Sequence, residues 1–287
     1  MNAFEFFPAT APDSAVIFAS PHSGRVYPSA LLKASVLDEL TLRSSEDAYV
    51  DMFLRRAPEA GAPVLLGGVP RAYVDYNRAA TELDPALIAD LPKAPTNARV
   101  LSGLGVIPRV VAGSKAIYRG KISRAEAEAR LNRFWHPYHA QLGALMMQHR
   151  ERFGRAILFD MHSMPRDALS APFPARYARP DIVLGDRFGA SASAHITDQV
   201  ADLFTAAGFR VARNAPFAGA YIAQRYGRPS TGHHVVQIEI DRGLYLSERS
   251  IRPNRNFDNF RIVMDRIICE LAQIGRGAGG SVALAAE

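Results

Sequence analysis

The chain has a single cysteine, Cys269, in 287 residues. One thiol excludes an intrachain disulfide and any Cys-rich metal cluster, and it is the usage of a reducing compartment. No apolar run approaches the roughly 20 residues of a membrane span. Met1 to Thr10 shows no basic segment followed by an apolar one, so no secretory signal is expected. Pro/Gly/Ser-rich linkers, internal repeats and low-complexity stretches are also missing, apart from a tail of small residues from Gly275 to Glu287 that should fray. Blocks of like charge are absent too. The 34 Lys and Arg against 28 Asp and Glu give a net charge of +6, but the arginines are scattered among acids and form no aromatic-interleaved stripe. That pattern excludes a nucleic-acid face and suits a small anionic substrate, whose local concentration a basic cleft raises. The expectation is one catalytic domain over residues 1–287, cytoplasmic, with neither nucleic acid nor membrane as partner.

Among what is present, Ala156-Ile157-Leu158-Phe159-Asp160-Met161-His162-Ser163-Met164-Pro165 organises the rest. It is too short for a helix, is entered from a Gly-containing turn and ends at Pro, which reads as a strand buried on both faces. His162 then stands at its carboxyl end, where open α/β sheets bind ligands. Ser14 to Ser20 is a second such strand and runs into Pro21-His22-Ser23-Gly24. Val235-Val236-Gln237-Ile238-Glu239-Ile240 is a third, with an acid inside an apolar run. A lone buried His or Glu is ordinarily a hydrogen-bonded core residue. Three strands delivering His, His and Glu point to a site.

Along the chain, Ser44 as N-cap with Asp47 at the capping-box position predicts a helix to about Pro58 with Val50, Phe53 and Leu54 on its apolar face. Pro63 to Leu66 reads as a strand, and Arg71 to Arg78 as a strand passing into a loop. The Pro- and Gly-rich stretch from Pro85 to Lys121 reads as a binding loop or lid, and it contains Arg109. Ser123-Arg124-Ala125-Glu126 is a capping box for a helix to Arg152, closed by Gly154. His136 and His139 lie on that helix beside Pro137 and an apolar stripe, and are expected to be structural. Helices are also expected over Ser191 to Ala207 and Arg255 to Ile274, and strands over Ile182 to Gly185 and from Phe209. The loop from Asn214 to Tyr221 can fold over the site. Alternating strands and helices of this kind give an α/β three-layer sandwich with a mixed, largely parallel central sheet.

Two His and one carboxylate with a position left for water form the ligand set of a catalytic zinc site, and a carboxylate off the metal supplies the base. His22 and His162 provide the imidazoles, Asp47 or Glu46 the acid, and Glu239 the base. No HExxH pair occurs, so distant segments must assemble the site.

These residues resemble the pattern of the N-formylglutamate amidohydrolase family, which is related to aspartoacylase and succinylglutamate desuccinylase and more distantly to zinc carboxypeptidases. The resemblance rests on Ser20-Pro21-His22-Ser23-Gly24-Arg25, Asp47 with Asp51, Val74-Asp75-Tyr76-Asn77-Arg78, Asp160-Met161-His162-Ser163 and Gln237-Ile238-Glu239. It implies a zinc-carboxypeptidase-like (phosphorylase/hydrolase-like) fold and a Zn2+-dependent hydrolase of linear amide bonds. The implied substrate is an N-acyl amino acid such as N-formylglutamate, in histidine degradation. It also implies that Asn77 and Arg78 hold the substrate carboxylate and that Arg71 polarises the scissile carbonyl, with Arg109 and Tyr221 reaching the substrate from their loops. The metal set it implies is His22, Asp47 and His162. Arg25 stands where the related acylases have the Glu of His-x-x-Glu, so the acidic ligand comes from elsewhere. Asp47 suits this better than Glu46. A carboxypeptidase-like peptidase, a deacylase of other acyl specificity and a metal-binding module of the same fold are the competing readings.

Overall fold

The computed structural model describes residues 1–10, 14–91, 97–169 and 179–276. Seven strands build the central sheet: β1 (Phe4–Phe7), β2 (Val16–Ser20), β3 (Val64–Gly67), β4 (Ala156–Met164), β5 (Ile182–Gly185), β6 (Val211–Arg213) and β7 (His233–Asp241). Their order is β1-β3-β2-β4-β7-β5-β6. The β1–β3 and β5–β7 pairs are antiparallel and the others parallel, so the sheet is mixed and largely parallel as expected.

The two longest strands, β4 and β7, lie side by side at the centre. All nine residues of β4 are buried, which is why its sequence is nearly continuously apolar rather than alternating. Alternate residues still go to opposite faces. Ile157, Phe159 and Met161 join Phe18, Val236 and Ile238 in a core covered by the helices Ala194–Ala206 and Phe257–Ile274. Ala156 and Leu158 join Ile17, Ala19 and Val235 under the helix His136–Phe153. Helices on both faces complete the three layers. The Phe159 ring, fully buried with its centroid 5.6 Å from that of Phe18, is the kind of residue whose truncation to Ala costs about 3–5 kcal/mol. None of the described helices is long and apolar enough to cross a membrane.

Several elements match the sequence reading closely. Ser123 caps the helix Arg124–Arg130 by accepting from the amide of Glu126 at 3.1 Å, and Gly154 ends the following helix with φ 73°. Between them lies a π turn, Leu131–Trp135, that the apolar stripe did not reveal. Pro137 has no N–H to offer the preceding turn and its ring crowds that turn; the wider π turn, which takes one extra residue, accommodates it.

Other expectations need correction. The helix from Ser44 to Pro58 does not form: Arg43–Ser45 is a 3-10 turn and only Val50–Phe53 is α-helical. Asp47 is therefore not a capping residue, and its carboxylate is directed instead to the sheet centre. Arg71 to Tyr76 is turn and loop rather than strand. The amino-terminal strand Phe4–Phe7 was not anticipated. Of the predicted lid, Ala98–Leu101 is a short helix and Val110–Val111 pairs with Lys115–Ala116 as a hairpin, while residues 92–96 lie outside the described residues. The predicted fraying tail lies outside them from residue 277 onward.

Candidate metal centre and active site

The pairing of β4 with β7 sets His162 directly opposite Glu239, and Asp160 opposite Gln237. These four residues continue the row that begins with Ala156, Leu158 and Val235, so the same face turns from apolar to polar toward the carboxyl ends of the strands. The neighbouring strand β2 ends at Ser20, and its turn carries His22. That turn packs tightly on the end of β3: a Cβ on Gly67 would meet the carbonyl oxygen of Pro21 at 2.3 Å, so only glycine permits the approach. The amide of Asp47 donates to the carbonyl of His22 at 3.0 Å, tying the Asp47 segment to the His22 turn.

His22 Nδ1, a carboxylate oxygen of Asp47 and His162 Nδ1 converge, and one ligand atom from each of the three residues lies within 4.8 Å of the others. Asp47 Oδ2 is 2.9 Å from His162 Nδ1 and 3.5 Å from His22 Nδ1. Ligands about 2.0–2.2 Å from one tetrahedral zinc stand roughly 3.3–3.6 Å apart; the His22–Asp47 distance lies in that range, and the His162–Asp47 distance of 2.9 Å, a hydrogen bond here, would widen slightly around a shared ion. His22 Nδ1 is buried and has no hydrogen-bond partner among the described residues, a cost that an ion would remove. The opposite nitrogens are occupied. His22 Nε2 is 2.7 Å from Asp75, and His162 Nε2 is 3.0 Å from Asp160. A carboxylate on the far nitrogen fixes the tautomer and turns the other lone pair toward a metal, the usual support of metal-bound histidine. The donor set of two imidazoles and a carboxylate suits zinc.

Asp47 is held from behind: Ser163 donates to its Oδ1 at 3.0 Å and Arg242 approaches the same oxygen at 3.2 Å. Glu46, the other candidate acid, is buried beside Asp47 but faces Arg43, 3.1 Å away, and takes no part in the convergence. Burial opposes charge on Asp47 and Asp75. His162 and His22 beside the first, and Arg71, His22 and Arg78 beside the second, nevertheless hold both carboxyls well below the usual carboxylate range. Glu239 is different. Burial pushes its carboxyl up, the cationic pull of His162 only partly opposes this, and its hydrogen-bond partner is the amide of Gln237 at 2.8 Å. Arg242, three residues further along the chain, goes to Asp47, Ser163 and Ser44 and not to Glu239.

Two cavities border this point. One of about 70 Å³ is lined by His22, His162, Asn77, Arg78, Arg99 and the loop Phe217 to Ala220. A second, of about 300 Å³, opens on the side of Val110, Met164 and Pro165. Arg71, Phe217 and Glu239 line both. The loop from Asn214 thus does fold over the site, where Gly185 lets it lie close: a Cβ there would stand 2.5 Å from the amide nitrogen of Gly219. Arg71 binds Asp75 at 2.9 Å. Arg78 is buried, donating to the carbonyls of Leu104 and Asn77; burial and the nearby Arg71 and Arg99 lower its pKa to about 10, against the opposing pull of Asp75. The Asn77 side chain is occupied within the protein. Its Oδ1 accepts from the amide of Ile222 at 2.8 Å, and its Nδ2 lies 3.2 Å from His162 Nε2. Arg109 binds Asp84 at 2.9 Å, and the Tyr221 ring packs near Trp135 and His139; neither is among the residues lining the two cavities.

The residues that the sequence reading passed over are mostly supports. Arg242 and Arg99 carried no signal beyond polarity, and Asp160 entered only as part of the motif around His162. His139 and Trp135 are structural as expected for the former, but with a defined target. His139 Nε2 donates to the carbonyl of Tyr76 at 2.8 Å and Trp135 Nε1 to that of Arg78 at 2.9 Å, so the helix around the π turn grips the backbone on either side of Asn77.

The fold and the convergent site define a three-layer α/β protein with a candidate metal centre at the carboxyl ends of its central strands. The sequence profile described as N-formylglutamate amidohydrolase matches residues 14–246, and the chain belongs to that family. An N-formylglutamate deformylase of Pseudomonas aeruginosa is 28% identical over 239 residues, 82% of this chain and 83% of that protein. One from Pseudomonas putida is 25% identical, over 81% of this chain and 82% of its own. The crystal structure of N-formylglutamate amidohydrolase from Ralstonia eutropha superposes with a TM-score of 0.90 at 30% identity, covering 96% of this chain and 99% of that one.

The His139 contacts yield a prediction about stability. Burial lowers its pKa to about 3 from an ordinary value of 6.5. Between those values the unfolded chain binds a proton that the native state does not, so the native stability that His139 confers is complete above pH 6.5 and falls as pH drops. His139→Gln should be less stable than wild type at pH 7.5, and the gap should narrow on going to pH 5 by on the order of 1 kcal/mol per pH unit. Urea unfolding at both pH values measures it, and a gap independent of pH would contradict it.

Proposed function

We propose that the protein is a metal-dependent amidohydrolase that removes the formyl group from an acidic N-formyl amino acid such as N-formylglutamate, acting in the cytoplasm. The observation that carries this reading is the shared geometry of the two histidines, each with Nε2 on a carboxylate and Nδ1 toward Asp47, beside a buried Glu239 whose proton affinity is raised. Family membership and the deformylase relatives support the choice of substrate. His22, Asp47 and His162 would hold one zinc ion. When bound, zinc supplies a Lewis acid that polarises the amide carbonyl and brings the pKa of water toward neutrality.

The chain's own residues account for the remaining steps. Arg78 receives the substrate carboxylate in the small cavity, where a guanidinium fork offers a bidentate match that Lys lacks. Arg99, exposed and without an ion pair among the described residues, lines the same cavity and provides a second cation for a dicarboxylic amino acid. Glu239 takes a proton from the attacking water. Its raised proton affinity suits it to hold that proton and return it to the leaving amine. Arg71, locked by Asp75, presents fixed positive charge where the oxyanion develops, the kind of pre-aimed field that supplies much of the catalysis in such sites. Phe217 and the rest of its loop keep bulk water from the reacting amide.

The metal assignment is tested by elemental analysis of purified variants. Wild type should carry about one zinc per chain, His162→Ala and Asp47→Ala should lose it, and Glu46→Ala should retain most of it. Loss in Glu46→Ala with retention in Asp47→Ala would overturn the choice of acid. The two arginines should separate kinetically on N-formyl-L-glutamate. Arg78→Lys should raise KM on the order of tenfold with little change in kcat, because the carboxylate contact exists in ground and transition states alike. Arg71→Ala should lower kcat on the order of a hundredfold while retaining zinc. Equal effects on both constants in both variants would count against these roles.

A further inference from the structure

Gln237 is where the covering loop and Glu239 meet. It lies on β7 two positions before Glu239, so both side chains leave the same face of the strand. It is buried, 4% exposed, in the wall of the small cavity. Its amide is engaged at both ends. Oε1 accepts from the backbone amide of Ala220 at 2.9 Å, and Nε2 donates to Glu239 Oε1 at 2.8 Å. We propose that Gln237 is a positioning residue of the hydrolytic site: it holds the Glu239 carboxylate in its reactive orientation, and the Ala220 amide of the loop sets the sense in which it does so. The proposal rests on the reading of Glu239 as the base that takes the proton from water.

The fold builds this contact in steps. Antiparallel pairing of β5 with β7 places Gly185 directly opposite Gln237. Gly185 has no side chain to hold the loop off, and the loop lies against it where a Cβ would stand 2.5 Å from the Gly219 amide nitrogen. Ala220, the next residue, then brings its N–H to Gln237. Ala220 is also the residue before the helix Tyr221–Tyr226 and offers that helix no side-chain cap. The free N–H groups at the start of a helix need acceptors from elsewhere. Ala220 finds Gln237 Oε1, and Ile222 finds Asn77 Oδ1 at 2.8 Å.

These two contacts fix the sense of both amides. Only the oxygen end of a side-chain amide can accept from a backbone N–H, so the NH2 end turns away from the loop. In Gln237 it faces Glu239, and in Asn77 it faces Asp160, the carboxylate on His162, at 3.4 Å. The opposite sense would set the Gln237 oxygen against a carboxylate and its NH2 against an N–H, leaving buried groups without partners. The loop thereby gives Glu239 its donor. Among the described residues that donor is the one hydrogen bond Glu239 has, and it holds Oε1 alone. Oε2 is left for water, on a residue that borders both cavities. A carboxylate free to turn would often present neither oxygen correctly, and displacement of a reacting group by about 1 Å can cost about a hundredfold in rate.

Steady-state kinetics on N-formyl-L-glutamate, with rates expressed per bound zinc, should compare wild type, Gln237→Met, Glu239→Gln and the double variant. Methionine keeps the length and packing of Gln237 but neither accepts from Ala220 nor donates to Glu239. Gln237→Met should lower kcat on the order of tenfold through misalignment of the base. It should move KM by no more than about twofold, because the lost contact is to the base and not to the substrate. In the Glu239→Gln background the same substitution should change kcat by less than about twofold, since no base is left to position. Gln237→Asn, one methylene too short to hold both partners, is the second variant and should repeat the pattern. A raised KM with unchanged kcat would make Gln237 a substrate contact, and an equal loss in both backgrounds would make it structural; either overturns the proposal. Wild-type kinetics in Gln237→Met would overturn it too and leave the amidohydrolase reading in place. No hydrolysis by the wild-type protein would overturn that reading and the positioning role with it.

Discussion

Four carboxylates buried around two imidazoles are the constraint on which the rest of this structure depends. Asp47, Asp75, Asp160 and Glu239 lie at the carboxyl ends of the central strands or on the loops that cover them, each at most 7% exposed. Charges removed from water in this way are tolerated only when paired. Arg71 and Arg78 serve Asp75, Arg242 and Ser163 serve Asp47, and the two histidines share Asp47 while each holds a further acid. Glu239 alone of the four has no imidazole, guanidinium or hydroxyl donor among the described residues, its hydrogen bond coming from the neutral amide of Gln237. Three carboxylates are thereby held ionised or tied to the histidines, and the fourth is left with the affinity for a proton that a base requires.

The fold exists in its particular form to bring these groups together. Parallel pairing of the two longest strands fixes His162 beside Glu239, and a slip of one residue would turn one of them to the opposite face. The turn after Ser20 delivers His22 because glycine at position 67 admits its backbone. Behind the site, the π turn lets Trp135 and His139 clamp the segment that presents Asn77 and Arg78. Asn77 then donates to Asp160, the carboxylate that holds His162, and accepts from the amide of Ile222, so its contribution passes through the protein as much as toward any substrate.

Where sequence carried a strong periodic or capping signal, it was readable. The buried strand Ala156–Met164, the capped helix beginning at Arg124 and the terminal helix ending at Ile274 follow directly from apolar pattern and end signals. His22, His162 and Glu239 stood out because polar side chains at or just beyond the ends of apolar strands are conspicuous, and the structure brings them to one face. Asp47 shows the limit. Its position after Ser44 has the spacing of a capping box, but tertiary demand from the two histidines outweighs that local preference and the helix does not form there. Arg109 illustrates the reverse error, since a basic residue in a glycine-rich loop looked available, whereas Asp84 binds it. Arg242 and Trp135 could not be assigned from pattern, because their hydrogen-bond partners lie 79 or more and 57 residues away in sequence.

The proposed mechanism depends most directly on Glu239 as the group that would move the proton. Glutamine at this position keeps the shape and an oxygen to accept from Gln237, but it cannot take a proton. Turnover of N-formyl-L-glutamate by Glu239→Gln should fall on the order of a hundredfold or more, with zinc content and melting temperature close to those of wild type. Near-wild-type turnover by this variant would contradict the mechanism.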